Sequence, residues 1–335
     1  MRRSGTWPLR LALAAALGGG AGCSGWTTAE QGAQFTVPRG AGLAAVTDTL
    51  AARGVVGSPR LFGLYARLSG AAGSLKPGVY RVEAGTSWQA ILDRLVAGDV
   101  VTVRITVPEG WTLPQIAERV AQAASLPVDS VRRVLADTAL VRELRLPGPT
   151  LEGYLYPATY QLPAGTPPRA IVRQMAERYR RAWTPALRAR ADSLGLSERE
   201  VVTLASIIER EARVWDERPR ISAVYHNRLR RGMRLEADPT VQYARGEHTS
   251  RLLYADIDAV ADHPYNTYRR AGLPPGPIAS PSAGAIRAAL YPEAVDYLFF
   301  VARPDGRHVF TRTLAEHNAA KREVRRALDA RNTRE

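Results

Sequence analysis

The sequence predicts an α+β protein, a small N-terminal module followed by a larger and mainly helical domain. Three observations predict it. A strand–glycine–helix pattern recurs as FTVPRGAGLAAV, YRVEAGTSWQAI and ITVPEGWTLPQI, each a short β-type run, a glycine and an apolar-periodic helix start. Beyond it the apolar residues fall mostly at helical spacing, and YLFFVA–RPDG–RHVFT near the end reads as a hairpin. At 335 residues with 45% apolar composition, the chain is long enough for two domains with their own cores.

The N-terminal 26 residues read as an export signal or membrane anchor: Arg2, Arg3 and Arg10 frame the apolar run LALAAALGGGAG. That run is short for a spanning helix, which needs roughly 20 residues. Gly20-Ala21-Gly22-Cys23 resembles a lipoprotein cleavage site with Cys23 as the lipidated residue, although Gly20 stands where a leucine is usual. Cys23 is the single cysteine, so no intramolecular disulfide forms. Each of these readings places the bulk of the chain outside the cytoplasm.

Residues 27–34 read as a linker, residues 35–104 as the small α+β module and residues 105–335 as the second domain. In the module, Gly40 and Gly85 turn strand into helix, residues 58–68 read as a helix, and Gly78-Val79-Tyr80 starts a strand. Trp88, and Trp111 just beyond the module, sit where a helix meets a sheet and are read as core residues. Residues 111–144 are mainly helical. LEGYLYPATY then reads as a strand on which Tyr154 and Tyr156 share a face. Residues 167–194 form an Arg-rich helix or pair of helices.

Ser197 and Glu200 make a capping box for the helix VVTLASIIEREA. At about 100° per residue, Thr203, Ser206, Arg210 and Arg213 share one polar sector, and Glu209 and Glu211 both fall on the apolar arc. A carboxylate there is expected in apolar surroundings, which raise its pKa and suit a general acid. Small Ala205 leaves more room beside Glu209, but the spacing alone leaves both open, as it does a salt-bridged structural role.

Residues 220–231 form an amphipathic helix with Ile221, Val224, Tyr225 and Leu229 as its buried stripe, stopped by Gly232. Asp238 reads as the N-cap, and Pro239 as the first residue, of a short helix. Residues 262–282 form a long loop with five prolines, read as substrate-lining. In it, Tyr265, Asn266 and Tyr268 are candidates for lining the site, Asn266 through its amide. A helix over residues 282–290, the hairpin and a closing helix from Thr313 complete the domain.

The net charge is +14, nearly all from arginine, and attraction to an anionic wall or membrane explains it as well as a nucleic acid would. The arginines are scattered and no nucleic-acid motif is present, so no nucleic-acid partner is expected. The five histidines are dispersed without ligand spacing, so neither metal nor other cofactor is implied. No Gly-x-Ser-x-Gly elbow is present.

The blocks LEGYLYPATY, LASIIEREA, ISAVYHNRLRRGMRLEADPTVQYA, YNTYRRAGLPPGPIASPS and YLFFVARPDGRHVFTRTLAEHN resemble, in order, the signature of the YceG-like endolytic murein transglycosylases. The resemblance implies a LysM-like, glycan-binding N-terminal module and a YceG-like catalytic domain. It assigns catalysis to the first glutamate of S-I-x-E-x-E, which is Glu209 here. It implies peptidoglycan as substrate and the peptidoglycan synthesis machinery as a partner. Glu152, Tyr154, Asp238, Gln242, Tyr265, Asn266 and Tyr268 become substrate-binding candidates. Such an enzyme works with one carboxyl group, whereas an ordinary glycosidase needs two. The alternatives are a hydrolytic muramidase recruiting Glu152, Glu236 or Asp238, and a non-catalytic wall-binding protein.

Overall fold

Strands β1 (Ala33–Val37) and β2 (Gly78–Val82) pair antiparallel, Phe35 opposite Tyr80, with helices α1 (Leu43–Ala52) and α2 (Pro59–Leu68) between them and α3 (Trp88–Ala97) following. This computed structural model describes residues 32–247, 249 and 252–332. The export segment and Cys23 lie outside them. No helix of the described residues is long and apolar enough to cross a membrane. The chain divides into two compact units at residues 101/102.

The first unit has its own core, built on Phe35, Leu50, Phe62, Tyr80, Ile91 and Leu95. Trp88 packs edge-on against Phe62. Ser58 caps α2 by accepting from the Leu61 N–H, and Ser87 caps α3 by accepting from that of Ala90.

The second unit opens with β3 (Thr102–Val107), which pairs antiparallel with β4 (Ala158–Pro163), Ile105 opposite Tyr160. Strand β3 begins three residues before the expected start of the second domain, so the expected boundary at residue 104 falls inside it. Helices α4 (Leu113–Ala124), α5 (Val128–Leu135) and α6 (Thr138–Glu143) lie between the strands, and α7 (Pro168–Ala182) and α8 (Pro185–Ser193) follow.

LEGYLYPATY is only partly a strand. Residues 151–157 are turns and irregular chain, so Tyr154 and Tyr156 do not share a strand face. Gly153 adopts φ +81°, and a Cβ there would stand 2.3 Å from Pro277 Cβ. The turn and the proline-rich loop approach too closely for any larger residue.

Helix α9 (Glu198–Glu211) is the spine of the unit. Its capping box forms as expected: the Ser197 hydroxyl accepts from the Glu200 N–H at 3.3 Å, and the Ser197 N–H donates to Glu200 Oε2 at 2.8 Å. Val202 faces the core around β3, β4, α4 and α7, while Val201, Leu204, Ala205, Ile207 and Ile208 face a second core. Each large side chain removed from water there contributes about 1.5–3 kcal/mol before entropy. Two residues of its polar sector, Thr203 and Ser206, are buried too: the Ser206 hydroxyl donates to the Thr203 carbonyl and accepts from the Ile278 N–H.

A 3-10 turn (Trp215–Glu217) leads into α10 (Arg218–Arg230). This helix is buried well beyond the expected stripe. Asn227 donates to the Val295 and Tyr297 carbonyls, and Arg228 to those of Leu298 and Leu235. Buried polar groups survive because backbone oxygens satisfy them. Helices α11 (Asp238–Arg245) and α12 (Tyr254–Ala259), the loop, α13 (Ala283–Leu290), the hairpin β5 (Phe299–Ala302) and β6 (His308–Thr311), and α14 (Leu314–Asn332) complete the unit.

Candidate active site

Glu209 lies in the last turn of α9, with its side chain only 6% exposed. Its surroundings are not the apolar ones expected from the helical wheel. Arg218 Nη2 donates to Oε1 at 2.6 Å, and Ser282 donates to Oε2 from its backbone N–H at 2.9 Å and its hydroxyl at 2.5 Å. The start of α10 and the N-cap of α13 come to the carboxylate from nine and 73 residues away, beyond the reach of any local pattern. Ser282 also accepts from the Ala285 N–H, so α13 aims its positive end at Glu209.

Above this site runs the turn after β3. Gly110 sits at φ +72°, and a Cβ there would lie 3.5 Å from Arg210 Cδ and 3.7 Å from Glu209 Cγ. The turn is tied to the proline-rich loop by Gly110 N–H to the Ser280 carbonyl and Ser280 N–H to the Trp111 carbonyl, both 2.8 Å. Arg210 Nη1 donates to the Gly110 carbonyl at 3.3 Å.

Two cavities flank the end of α9, and Glu209 is not among the residues lining either. The first, about 440 Å³, is lined by Glu152, Gln242, Tyr243, Arg210 and His263, among others. Glu152 is 2% exposed. Its Oε2 accepts from the Leu113 N–H at 3.2 Å, and its Oε1 is buried with no hydrogen-bond partner among the described residues. Burial pushes the carboxyl up to about 7, against the opposing backbone N–H groups of Leu113 and Gly153 and the Tyr243 hydroxyl. Gln242 lines this cavity while its Nε2 donates to the Thr249 carbonyl.

The other cavity, about 300 Å³, is lined by Glu211, Arg228, Glu236, Asp238 and Tyr268, among others. Glu211 accepts from the Tyr225 hydroxyl at 2.8 Å. Burial raises its carboxyl to about 7, the Asp238 charge adds to this, and the Tyr225 hydrogen bond and Arg228 oppose it. Burial thus pushes the carboxyls of both Glu211 and Glu152 toward neutrality.

Asp238 is the first residue of α11 rather than its cap, and Ala237 holds the cap position. Its Oδ1 accepts from the Tyr268 hydroxyl at 2.5 Å, which gives both residues a place in the second cavity. Tyr154 is fully buried and packs edge-on against Tyr179 at 5.2 Å. It belongs to the core and not to a substrate surface. Asn266 is also fully buried: its amide donates to the Ile257 and Val260 carbonyls and accepts from the Tyr268 N–H. Every polar group on it holds the loop together, and none is left for a sugar or for Glu209. Tyr265 packs against Tyr243, ring centroids 4.9 Å apart.

Arg218, Ser282 and Tyr243 carry no local sign in the sequence of a place in this site. Ser282 was legible as the start of a helix, and Pro219 at the first turn of α10 marks another helix start. Nothing local shows that both ends converge on Glu209. Among the described residues no group of three or more His, Cys, Asp or Glu side chains is arranged to hold a metal ion.

The YceG-like family model matches residues 35–323. A Bacillus subtilis protein named endolytic murein transglycosylase is 35% identical over 305 residues, covering 86% of this chain and 83% of its own. A Streptococcus pneumoniae protein of the same name is 30% identical over 295 residues, covering 79% of this chain. The chain spans about half the length of that relative, 53%. A crystal structure of a yceG-like protein from Listeria monocytogenes is 33% identical, with a TM-score of 0.60 over 87% of this chain and all of that one. With the family model covering most of the chain and a relative 35% identical over 86% of it, this protein belongs to the YceG-like family.

Proposed function

We propose that this chain is an endolytic murein transglycosylase, cleaving the β-1,4 bond between N-acetylmuramic acid and N-acetylglucosamine inside peptidoglycan strands. The supporting observation is Glu209: it stands where the family's S-I-x-E-x-E motif places its catalytic glutamate, and Arg218 and Ser282 hold both of its oxygens. Relatives carrying that name along most of the chain support the same reading.

In this reading Glu209 donates its proton to the glycosidic oxygen as the bond to C1 breaks. Arg218 and Ser282 meet the negative charge that stays behind. The carboxylate then takes the proton from the C6 hydroxyl, whose oxygen bonds to C1 and closes the 1,6-anhydro ring. Protons balance, and no water is consumed. The Ser282 hydroxyl both donates and accepts, so it fits either state of the carboxyl. Glu152, Gln242 and Tyr265 on one side, and Asp238 and Tyr268 on the other, are the substrate-facing candidates that remain.

The rest of the reading concerns placement. Residues 35–104 act as a LysM-like glycan-binding module, supported by their separate core and sheet. The N-terminal segment tethers the protein to the membrane through Cys23, with the catalytic domain on the extracytoplasmic side. The synthesis machinery of the wall is its partner there. Loss of palmitate labelling in Cys23→Ala tests the lipid anchor, and unchanged labelling rejects it.

Mass spectrometry of peptidoglycan digested by the full chain, beside Glu209→Gln and Glu211→Gln, tests the chemistry. Internal fragments ending in 1,6-anhydro-muramic acid, absent with Glu209→Gln and present with Glu211→Gln, are expected. Reducing ends carrying one added water would mean a hydrolase. Activity lost only with Glu211→Gln would move the acid to the second cavity.

A further inference from the structure

Trp215 is 67% exposed, six residues along the chain from the nearly buried Glu209. A tryptophan left in water forgoes one of the largest burial gains a side chain can make, and this one is held in place from beneath. The Arg218 guanidinium carbon lies 4.4 Å from the ring centroid. The same guanidinium donates to Glu209 at 2.6 Å and to the Ser282 hydroxyl at 2.9 Å. It also lies against α13 at Gly284, where a Cβ would come within 2.9 Å of Nη1.

The turn that carries Trp215 is anchored on its other side as well. Glu217, two residues on, is buried and accepts from the His308 backbone N–H at 3.1 Å, with His308 Nδ1 at 2.8 Å. The indole is thus pinned with one face on Arg218 and the remainder open to solvent, one guanidinium away from the Glu209 carboxylate. Arg218 is 5% exposed, and its Nε, on the group beneath the ring, has no hydrogen-bond partner among the described residues.

We propose that Trp215 is a sugar-binding platform, its open face taking the apolar C–H face of a pyranose ring next to the bond that Glu209 acts on. The ligand class is a glycan strand, bound by stacking on the indole face that Arg218 leaves open. The proposal rests on the glycan-cleaving reading of Glu209, which names the substrate.

The test separates the two. Binding of purified uncrosslinked glycan strands is measured by calorimetry in the catalytically idle Glu209→Gln background, with Trp215, Trp215→Ala and Trp215→Phe. A tenfold change in affinity corresponds to about 1.4 kcal/mol. Trp215→Ala is expected to weaken binding by up to about tenfold, with Trp215→Phe recovering much of it. In the active protein KM is expected to rise by more than kcat falls. Equal affinities for all three proteins would overturn the proposal, whatever the products of the active enzyme. So would a loss confined to kcat, which would mean that Trp215 only props Arg218. Absence of glycan binding by the Trp215 protein itself would also overturn it. Activity lost in Trp215→Ala and not restored by Trp215→Phe, with affinity unchanged, would do the same.

Discussion

Ser282 gives Glu209 both of its donors, a backbone N–H at 2.9 Å and a hydroxyl at 2.5 Å, on one carboxylate oxygen across 73 residues of chain. The same hydroxyl accepts from the Ala285 N–H and caps α13. One side chain therefore both starts a helix and aims the carboxyl group that helix faces.

Ser282→Ala is expected to act on both roles. Losing the cap costs about 0.5–2 kcal/mol of stability, read as a lower urea midpoint. Losing a hydrogen bond to a charged group is worth about 1.5–3 kcal/mol, so kcat should fall by about ten- to a hundredfold. Ser282→Thr keeps the hydroxyl and should recover most of both. Unchanged kcat in Ser282→Ala would show that the hydroxyl does not serve Glu209.

Arg218 and Glu209 form an ion pair with each side chain 6% exposed. Removing one partner of such a pair leaves a buried charge and costs about 3–5 kcal/mol. Arg218→Met should lower the unfolding free energy by that order, and Arg218→Met with Glu209→Gln should be more stable than Arg218→Met alone. Urea denaturation of the four proteins in this cycle checks it. Additive losses would show that the pair is not coupled.

Glu152 carries a pH signature. Its folded carboxyl titrates near 7, above the ordinary 4.5, because burial disfavours its charge. Between those values the folded state binds more protons than the unfolded one, so this group's contribution falls as pH rises through that window. Above 7 the ionised carboxylate is a cost of about 3 kcal/mol at most, from about 1.4 kcal/mol per pKa unit. Glu152→Gln should therefore be more stable than wild type at pH 8, with the difference gone near pH 4. Melting temperatures at the two pH values check it, and equal gains at both would reject the burial account.

Two glycines with left-handed backbone should respond differently to alanine. At Gly110 the new Cβ makes ordinary contacts at 3.5 and 3.7 Å, whereas at Gly153 it would overlap Pro277 at 2.3 Å. Gly110→Ala should cost about 1–2 kcal/mol from backbone conformation alone. Gly153→Ala adds overpacking of about 1–3 kcal/mol, because a proline ring has little room to give. Denaturation midpoints in the reverse order would contradict this.

What the sequence by itself determined is what neighbouring residues decide. The Ser197–Glu200 capping box, the three glycine turns, the α13 start at Ser282 and the terminal hairpin depend on contacts within a few residues, and each forms as its local pattern requires. The YceG-like family was legible too, in the order of its blocks.

Only the tertiary structure decided which residues meet. β3 pairs with β4 across the whole α4–α6 stretch, so the second unit begins at Thr102, inside the span that the sequence pattern gives to the module. Tyr154 and Asn266, polar and aromatic as a sugar site would want, are consumed by the core and by the loop's own backbone. Glu209 sits on an apolar helix arc in sequence, yet it meets Arg218 and Ser282 because α10 and α13 both begin against the end of α9. Periodicity records which face of a helix is buried; it does not record what another helix brings to that face.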